Sequence, residues 1–119
     1  MKQKLNIVLL LMMGTSIVPV TSKSVLAESG IASIYSTNEG STQTASGVKL
    51  DDNALTAAHR TLPFGSKVRV TNAKNGQTVV VTITDRGPFV PGRVIDLTPA
   101  GAQALGFSGL APVTVQVGE

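Results

Sequence analysis

Strict alternation of apolar and polar residues over Lys67 to Thr71 (Lys-Val-Arg-Val-Thr) predicts a strand with Val68 and Val70 turned towards a core. A more β-prone run, Thr78 to Thr84 (Thr-Val-Val-Val-Thr-Ile-Thr), follows it, and Asn75-Gly76 between the two is a strong hairpin-turn signal. Gly30 to Ser36 alternates loosely and predicts a first strand, Arg93 to Leu97 a short later one, and Pro112 to Val117 a last one. Thr98-Pro99 has the chemistry of a helix start: a hydroxyl to cap the first free amides, then a proline whose missing N–H is no loss in the first turn. A helix is therefore predicted over Pro99 to Leu105, stopped by Gly106; Gly101 inside it weakens it, so it must pack to persist. Asn38 to Gly47, rich in Ser, Thr and Gly, reads as a loop. There is no internal repeat and no linker for a second domain. The pattern predicts a mostly β fold, a small and mostly antiparallel barrel with one short helix, closed so that no strand edge is exposed.

Length and composition narrow this picture. A chain of 119 residues supplies one small domain at most. Residues 1–27 read as a secretory signal peptide: Lys2 and Lys4, an apolar stretch from Ile7 to Met13, then Val25-Leu26-Ala27 with small residues at the −3 and −1 positions before Glu28. That stretch falls well short of the roughly 20 residues a spanning helix needs, and Gly14 and Pro19 interrupt its extension. The expected product is an exported domain over residues 28–119, periplasmic or secreted. The formal charge of +3 belongs to the leader. Once Lys2, Lys4 and Lys23 are removed, basic and acidic residues balance and no electrostatic case for a nucleic-acid partner survives. The absence of cysteine excludes a disulfide scaffold, a zinc-thiolate site and a cysteine nucleophile, and it leaves no residue for a lipid anchor.

The candidate chemistry is carboxylate chemistry. Val79, Val81, Ile83 and Asp85 share one face of an ideal strand, with Thr78, Thr82, Thr84 and Arg86 on the other. If the first face points inward, Asp85 sits at the strand's end on the apolar side, where partial desolvation would raise its pKa as a general acid requires; Gly87-Pro88 would leave it at a rim. The same spacing also suits a turn cap on the amides of Gly87 or Phe89. His59, the single histidine, cannot make a zinc site alone; it suits proton shuttling, substrate orientation or a packed, hydrogen-bonded role. Asp96, between Ile95 and Leu97, should be partnered, by Arg93 or by amides at the following helix start. Tyr35, the single tyrosine, suits sugar stacking, hydrogen bonding or the edge of a core. There is no phosphate loop, no Gly-x-Ser-x-Gly elbow and no metal-binding repeat, so no cofactor and no metal is implied.

Six blocks occur in order: Thr44-Ala45-Ser46-Gly47, Leu55-Thr56-Ala57-Ala58-His59, Leu62-Pro63-Phe64-Gly65, Val70-Thr71-Asn72, Asp85-Arg86-Gly87-Pro88-Phe89 and Arg93-Val94-Ile95-Asp96-Leu97-Thr98. Together they resemble the rare lipoprotein A (RlpA) family of septal-ring lytic transglycosylases, over Gly30 to Val117. The resemblance implies a six-stranded double-psi β-barrel, shared with expansins and barwin-like proteins. It also implies cleavage of the β-1,4 bond between N-acetylmuramic acid and N-acetylglucosamine in peptidoglycan strands free of stem peptides, leaving 1,6-anhydro ends. The implied catalytic residues are Asp85 and His59, with Tyr35, Thr44, Asp96 and Arg86 on the substrate; the implied partner is the glycan strand, met by a monomer without a membrane anchor. One departure stands out: the family's glutamate after the Thr-Ala-Ser-Gly block is Val48 here. Since a transglycosylase uses the substrate's own C6 hydroxyl as nucleophile, Asp85 alone can protonate the leaving oxygen and then accept the hydroxyl proton. The alternative is a non-catalytic, expansin-like wall-binding module, in which the key acid matches Asp96; a barwin-like secreted protein is disfavoured by the lack of cysteine.

Overall fold

Each alternating segment becomes a strand, and the strands close on themselves. The computed structural model describes residues 27–40 and 42–118; the expected leader lies outside them except for Ala27, which opens the first strand. In chain order the elements are β1 (Ala27–Ile34), a 3-10 turn (Thr37–Glu39), β2 (Thr56–Ala58), β3 (Lys67–Asn72), β4 (Thr78–Asp85), β5 (Arg93–Leu97), α1 (Pro99–Leu105) and β6 (Ala111–Val117). They form a closed barrel in the order β1-β5-β2-β4-β3-β6. The pairs β1–β5 and β2–β4 run parallel and the rest antiparallel. This is the double-psi arrangement, and closure removes the free edges a small sheet would otherwise expose.

The interior is the apolar face of each alternation: Val68 and Val70 from β3, Val79, Val81 and Ile83 from β4, Ile95 and Leu97 from β5, Val113 and Val115 from β6. Burying each such side chain contributes about 1.5–3 kcal/mol relative to exposure. The helix seals one side of the barrel against β4 and β5 through Ala102 and Leu105. It starts and stops where the sequence predicts, with Gly106 in the left-handed region at φ +75°.

Thr98 holds that helix in place. Its side chain is fully buried, accepts from the Gly101 amide at 3.2 Å and donates to the Ala54 carbonyl at 2.7 Å. Thr98→Ala removes both bonds and leaves the Ala54 oxygen without that donor. It is expected to lower stability by about 1–3 kcal/mol, read as a lower urea midpoint with an unchanged slope.

Both parallel pairs carry a register shift, and both shifts shape the site. Opposite Ile31 and Ala32, β5 offers Arg93 and Ile95, so Val94 is the extra residue. Val94 presses on Gly30, where an added Cβ would stand 2.4 Å from its Cγ1; only glycine fits there. Opposite Ala57 and Ala58, β4 offers Ile83 and Asp85, so Thr84 is extra. Thr84 lies on the face that the alternation assigns to the exterior, yet it is buried, and Asp85 is half-buried. Regular parity thus ends one residue before the aspartate, as bulges beside sites commonly arrange.

Candidate active site

Asp85 ends β4 and lines a cleft of about 160 Å³ with Tyr35, Ser36, Glu39, Gln43 and Leu50. Its Oδ1 accepts two backbone amides, Arg86 and Ala45, both at 2.9 Å. The first is a local cap one residue away, in place of the Gly87 or Phe89 amides that the spacing allows. The second ties the aspartate to the loop carrying the Thr44-Ala45-Ser46-Gly47 block, forty residues earlier in the chain. Leu50 also lines a neighbouring depression of about 520 Å³ with Thr37, Lys49, Asp51, Asp52 and Asn53. The two depressions share Leu50 as a lining residue.

The carboxyl that burial pushes upward is that of Asp96; Ser33 and Arg93 hold it down in part, and the nearby Asp85 charge adds to the rise. The Ser33 hydroxyl donates to Asp96 Oδ1, a bond made by the parallel β1–β5 register, which sets Ser33 directly beside Asp96. Arg93 therefore acts on Asp96 as expected, but the direct partner is Ser33, which only knowledge of the strand pairing supplies. The Tyr35 phenol belongs to the same cluster. Burial pushes its pKa up to about 12, with the Asp85 charge the next cause and Asp96 contributing. Its hydroxyl oxygen is shielded from solvent and has no hydrogen-bond partner among the described residues; the Thr84 hydroxyl is close enough to be felt electrostatically without making an aligned bond. A buried hydroxyl left in this state beside two carboxylates is an unused donor at the cleft wall.

His59 faces elsewhere. Its ring lines a separate, mostly apolar pocket of about 180 Å³ with Ala27, Glu28, Thr61, Leu62 and Val115. Nδ1 accepts the amides of Thr61 and Leu62, each at 3.2 Å, which places the ring proton on Nε2, and Nε2 donates to Glu28 Oε1 at 2.9 Å. Arg60 approaches the same carboxylate at 3.7 Å. With both ring nitrogens engaged, His59 reaches the site through its backbone, whose amide donates to the Asp85 carbonyl at 3.1 Å. Arg86 is likewise committed to the 59–65 loop: Nη1 donates to Leu62 O at 2.8 Å and His59 O at 3.2 Å, and the guanidinium sits 4.0 Å over the Phe64 ring.

Thr44 is buried, and its hydroxyl donates to the Val48 carbonyl while meeting Ser46 Oγ at 3.0 Å. It shapes the loop rather than the cleft wall. Val48 follows that block, 53% exposed, next to Lys49 where the loop closes against Gln43. Of the residues expected at the site, the fold brings Asp85, Asp96 and Tyr35 together, and gives His59, Arg86 and Thr44 supporting positions around them.

A family model described as "Lytic transglycolase" matches residues 27–117. A probable endolytic peptidoglycan transglycosylase RlpA of Nostoc sp. is 53% identical over 96 residues, covering 77% of this chain and 26% of that protein. The endolytic peptidoglycan transglycosylase RlpA of Yersinia pestis is 51% identical over 86 residues (72% of this chain, 24% of that one), and that of Neisseria meningitidis serogroup A is 48% identical over 101 residues (81% and 42%). The chain thus spans less than half the length of each of these relatives. Among solved structures, the apo expansin of Clavibacter michiganensis superposes with a TM-score of 0.62 at 23% identity, covering 79% of this chain and 51% of that one. A mutant of the same expansin, solved in complex with cellohexaose, gives 0.62 at 22% with the same coverage. These two likenesses carry the fold alone, a barrel of the expansin type. The match across the whole barrel, together with the RlpA relatives, gives the family plainly: this chain belongs to the lytic transglycolases.

Proposed function

We propose that this domain is an exported peptidoglycan lytic transglycosylase that cleaves the N-acetylmuramic acid–β-1,4–N-acetylglucosamine bond of stem-peptide-free strands, leaving 1,6-anhydro ends. The observation that carries the reading is a carboxyl at a cleft with a second close enough to feel its charge: Asp85, anchored through Oδ1 at the cleft wall, and Asp96, raised by burial and in part by the Asp85 charge. The Asp85 charge adds to the burial that holds the proton on Asp96. The pair donates that proton to the leaving glycosidic oxygen. Asp85, facing the cleft, then accepts the proton of the C6 hydroxyl as it closes on C1, and the pair ends with the one proton it began with. Tyr35, whose phenol keeps its proton throughout the neutral range, lines the same cleft as an uncharged neighbour of the two carboxyls. His59 positions Asp85 through the backbone and transfers no proton itself.

The test is mass spectrometry of amidase-stripped glycan strands incubated with the domain. New 1,6-anhydro ends support cleavage; co-sedimentation with sacculi without such ends would leave the expansin-like binding module. Val48 gives the second reading its weight, since an apolar side chain stands where the family has a glutamate. The loop bearing it is bonded to Asp85 through Ala45. Val48→Glu is expected to raise turnover by about tenfold in the same assay. No gain would mean that the two aspartates already supply the acid–base chemistry.

A further inference from the structure

We propose that Phe89 is a stacking platform for a sugar ring of the glycan strand, one unit away from the bond at the carboxyl pair; this rests on the glycan-cleaving reading above. Phe89 is 75% exposed, the most exposed of the large apolar side chains among the described residues. A small domain with little core to spare gains nothing in stability from an aromatic ring held in water. The ring is held beside the reactive cluster rather than on a remote surface. A Cβ added to Gly87 would lie 3.7 Å from Phe89 Cε2 and 3.8 Å from Asp96 Oδ2, so ring edge and carboxylate flank the same bare stretch of backbone. Gly87 has φ +127°, a conformation that side-chain-bearing residues rarely adopt, so that stretch stays bare. The ring and the carboxyl thus stand over one floor, the buried Gly87 backbone, with the exposed apolar ring on one side and the carboxyl on the other.

The chemistry of that floor selects its occupant. A pyranose in the β-linked chair presents a face of C–H groups that packs on an aromatic ring, while its oxygens point along the plane towards hydrogen-bonding groups. Phe brings no charge and no hydrogen-bonding atom, so it neither pairs with Asp96 nor competes for its proton. Two other exposed apolar residues lie elsewhere: Leu110 between α1 and β6, and Val117 at the end of β6 in the separate pocket that His59 lines.

Such a platform binds ground state and transition state alike, so its loss appears in KM. With amidase-stripped glycan strands, Phe89→Ala is expected to raise KM roughly five- to tenfold with kcat within about twofold; Phe89→Tyr should restore wild-type KM, and Leu110→Ala should leave both constants unchanged. The chain contains no tryptophan, so Phe89→Trp installs a single reporter whose emission should change saturably on titration with the same strands. Anhydro products from Phe89→Ala at wild-type KM would overturn the platform and leave the cleaving reading standing. A saturable Phe89→Trp signal without products from the wild-type domain would do the reverse. A flat Phe89→Trp emission at strand concentrations that the wild type cleaves would also overturn the platform and would turn attention to a protein partner for the exposed ring.

Discussion

Asp85→Asn is expected to cut the formation of 1,6-anhydro ends by about 10²–10⁴-fold, the range of positioned acid–base catalysis, while leaving the melting temperature close to that of the wild type. The substitution separates chemistry from architecture. Asp85 Oδ1 accepts the Ala45 and Arg86 amides, and an asparagine oxygen in the same place accepts both. The tether to the 44–48 loop therefore survives, as does the backbone bond from the Asp85 carbonyl to the His59 amide. What disappears is the group able to give a proton to the leaving oxygen and take one from the C6 hydroxyl. Asp85→Ala removes the tether as well and should lower both activity and stability, so the contrast between the two variants measures the structural share of the effect. Mass spectrometry of strand ends with a parallel thermal melt decides it: undiminished product from a folded Asp85→Asn domain would remove this aspartate from the chemistry.

How far the fold was readable depended on whether the signal was local. The alternation of Lys67 to Thr71 and the cap, proline and stop around α1 are short-range signals, and those elements form where they predict, within a residue or two. Thr56–Ala58 gave no such signal. It is three residues long, has no β-branched run, and is a strand because β4 and β5 pair with it on either side. The site follows the same rule. Asp85 at a strand end before Gly-Pro was visible as a candidate, but its distance from regular parity depends on the Thr84 bulge, which no periodicity encodes. The Ser33–Asp96 bond spans sixty-three residues and exists only because β1 and β5 lie parallel. His59 could be singled out by its rarity, whereas the direction of its ring could not: the 61–62 amides that engage Nδ1 are local, but Glu28 is thirty-one residues away and reaches Nε2 only in the folded barrel. Phe89 carried no local signal beyond its place in the Asp-Arg-Gly-Pro-Phe block; its exposure is a property of the folded surface.

Asp96→Asn is expected to move stability and activity in opposite directions. Burial raises the Asp96 pKa above its ordinary value of 3.8, with Ser33 and Arg93 opposing the rise and Asp85 adding to it. A carboxyl that binds its proton more tightly in the folded state favours folding fully below its unfolded pKa, and that contribution is lost as pH rises through the raised value. As pH rises through that raised value the folded protein acquires a half-buried, poorly solvated charge. Asparagine still accepts from Ser33 but never ionises, so the variant should gain in melting temperature over wild type, by up to a few degrees, as pH rises through that range, and the gap should close as pH falls towards 3.8. Activity should fall by about a hundredfold, because the carboxyl whose proton burial retains is gone. The alkaline decline of the wild-type rate, as Asp96 loses its proton, should also change position. Thermal melts and strand-end analysis across the same pH series test both halves. A variant that gains stability yet cleaves normally would assign Asp96 to the architecture alone, whereas one that loses stability at neutral pH would contradict the burial argument itself. A domain that retains a destabilising acid beside its cleft aspartate, where asparagine would fit the same hydrogen bond, holds it for its proton.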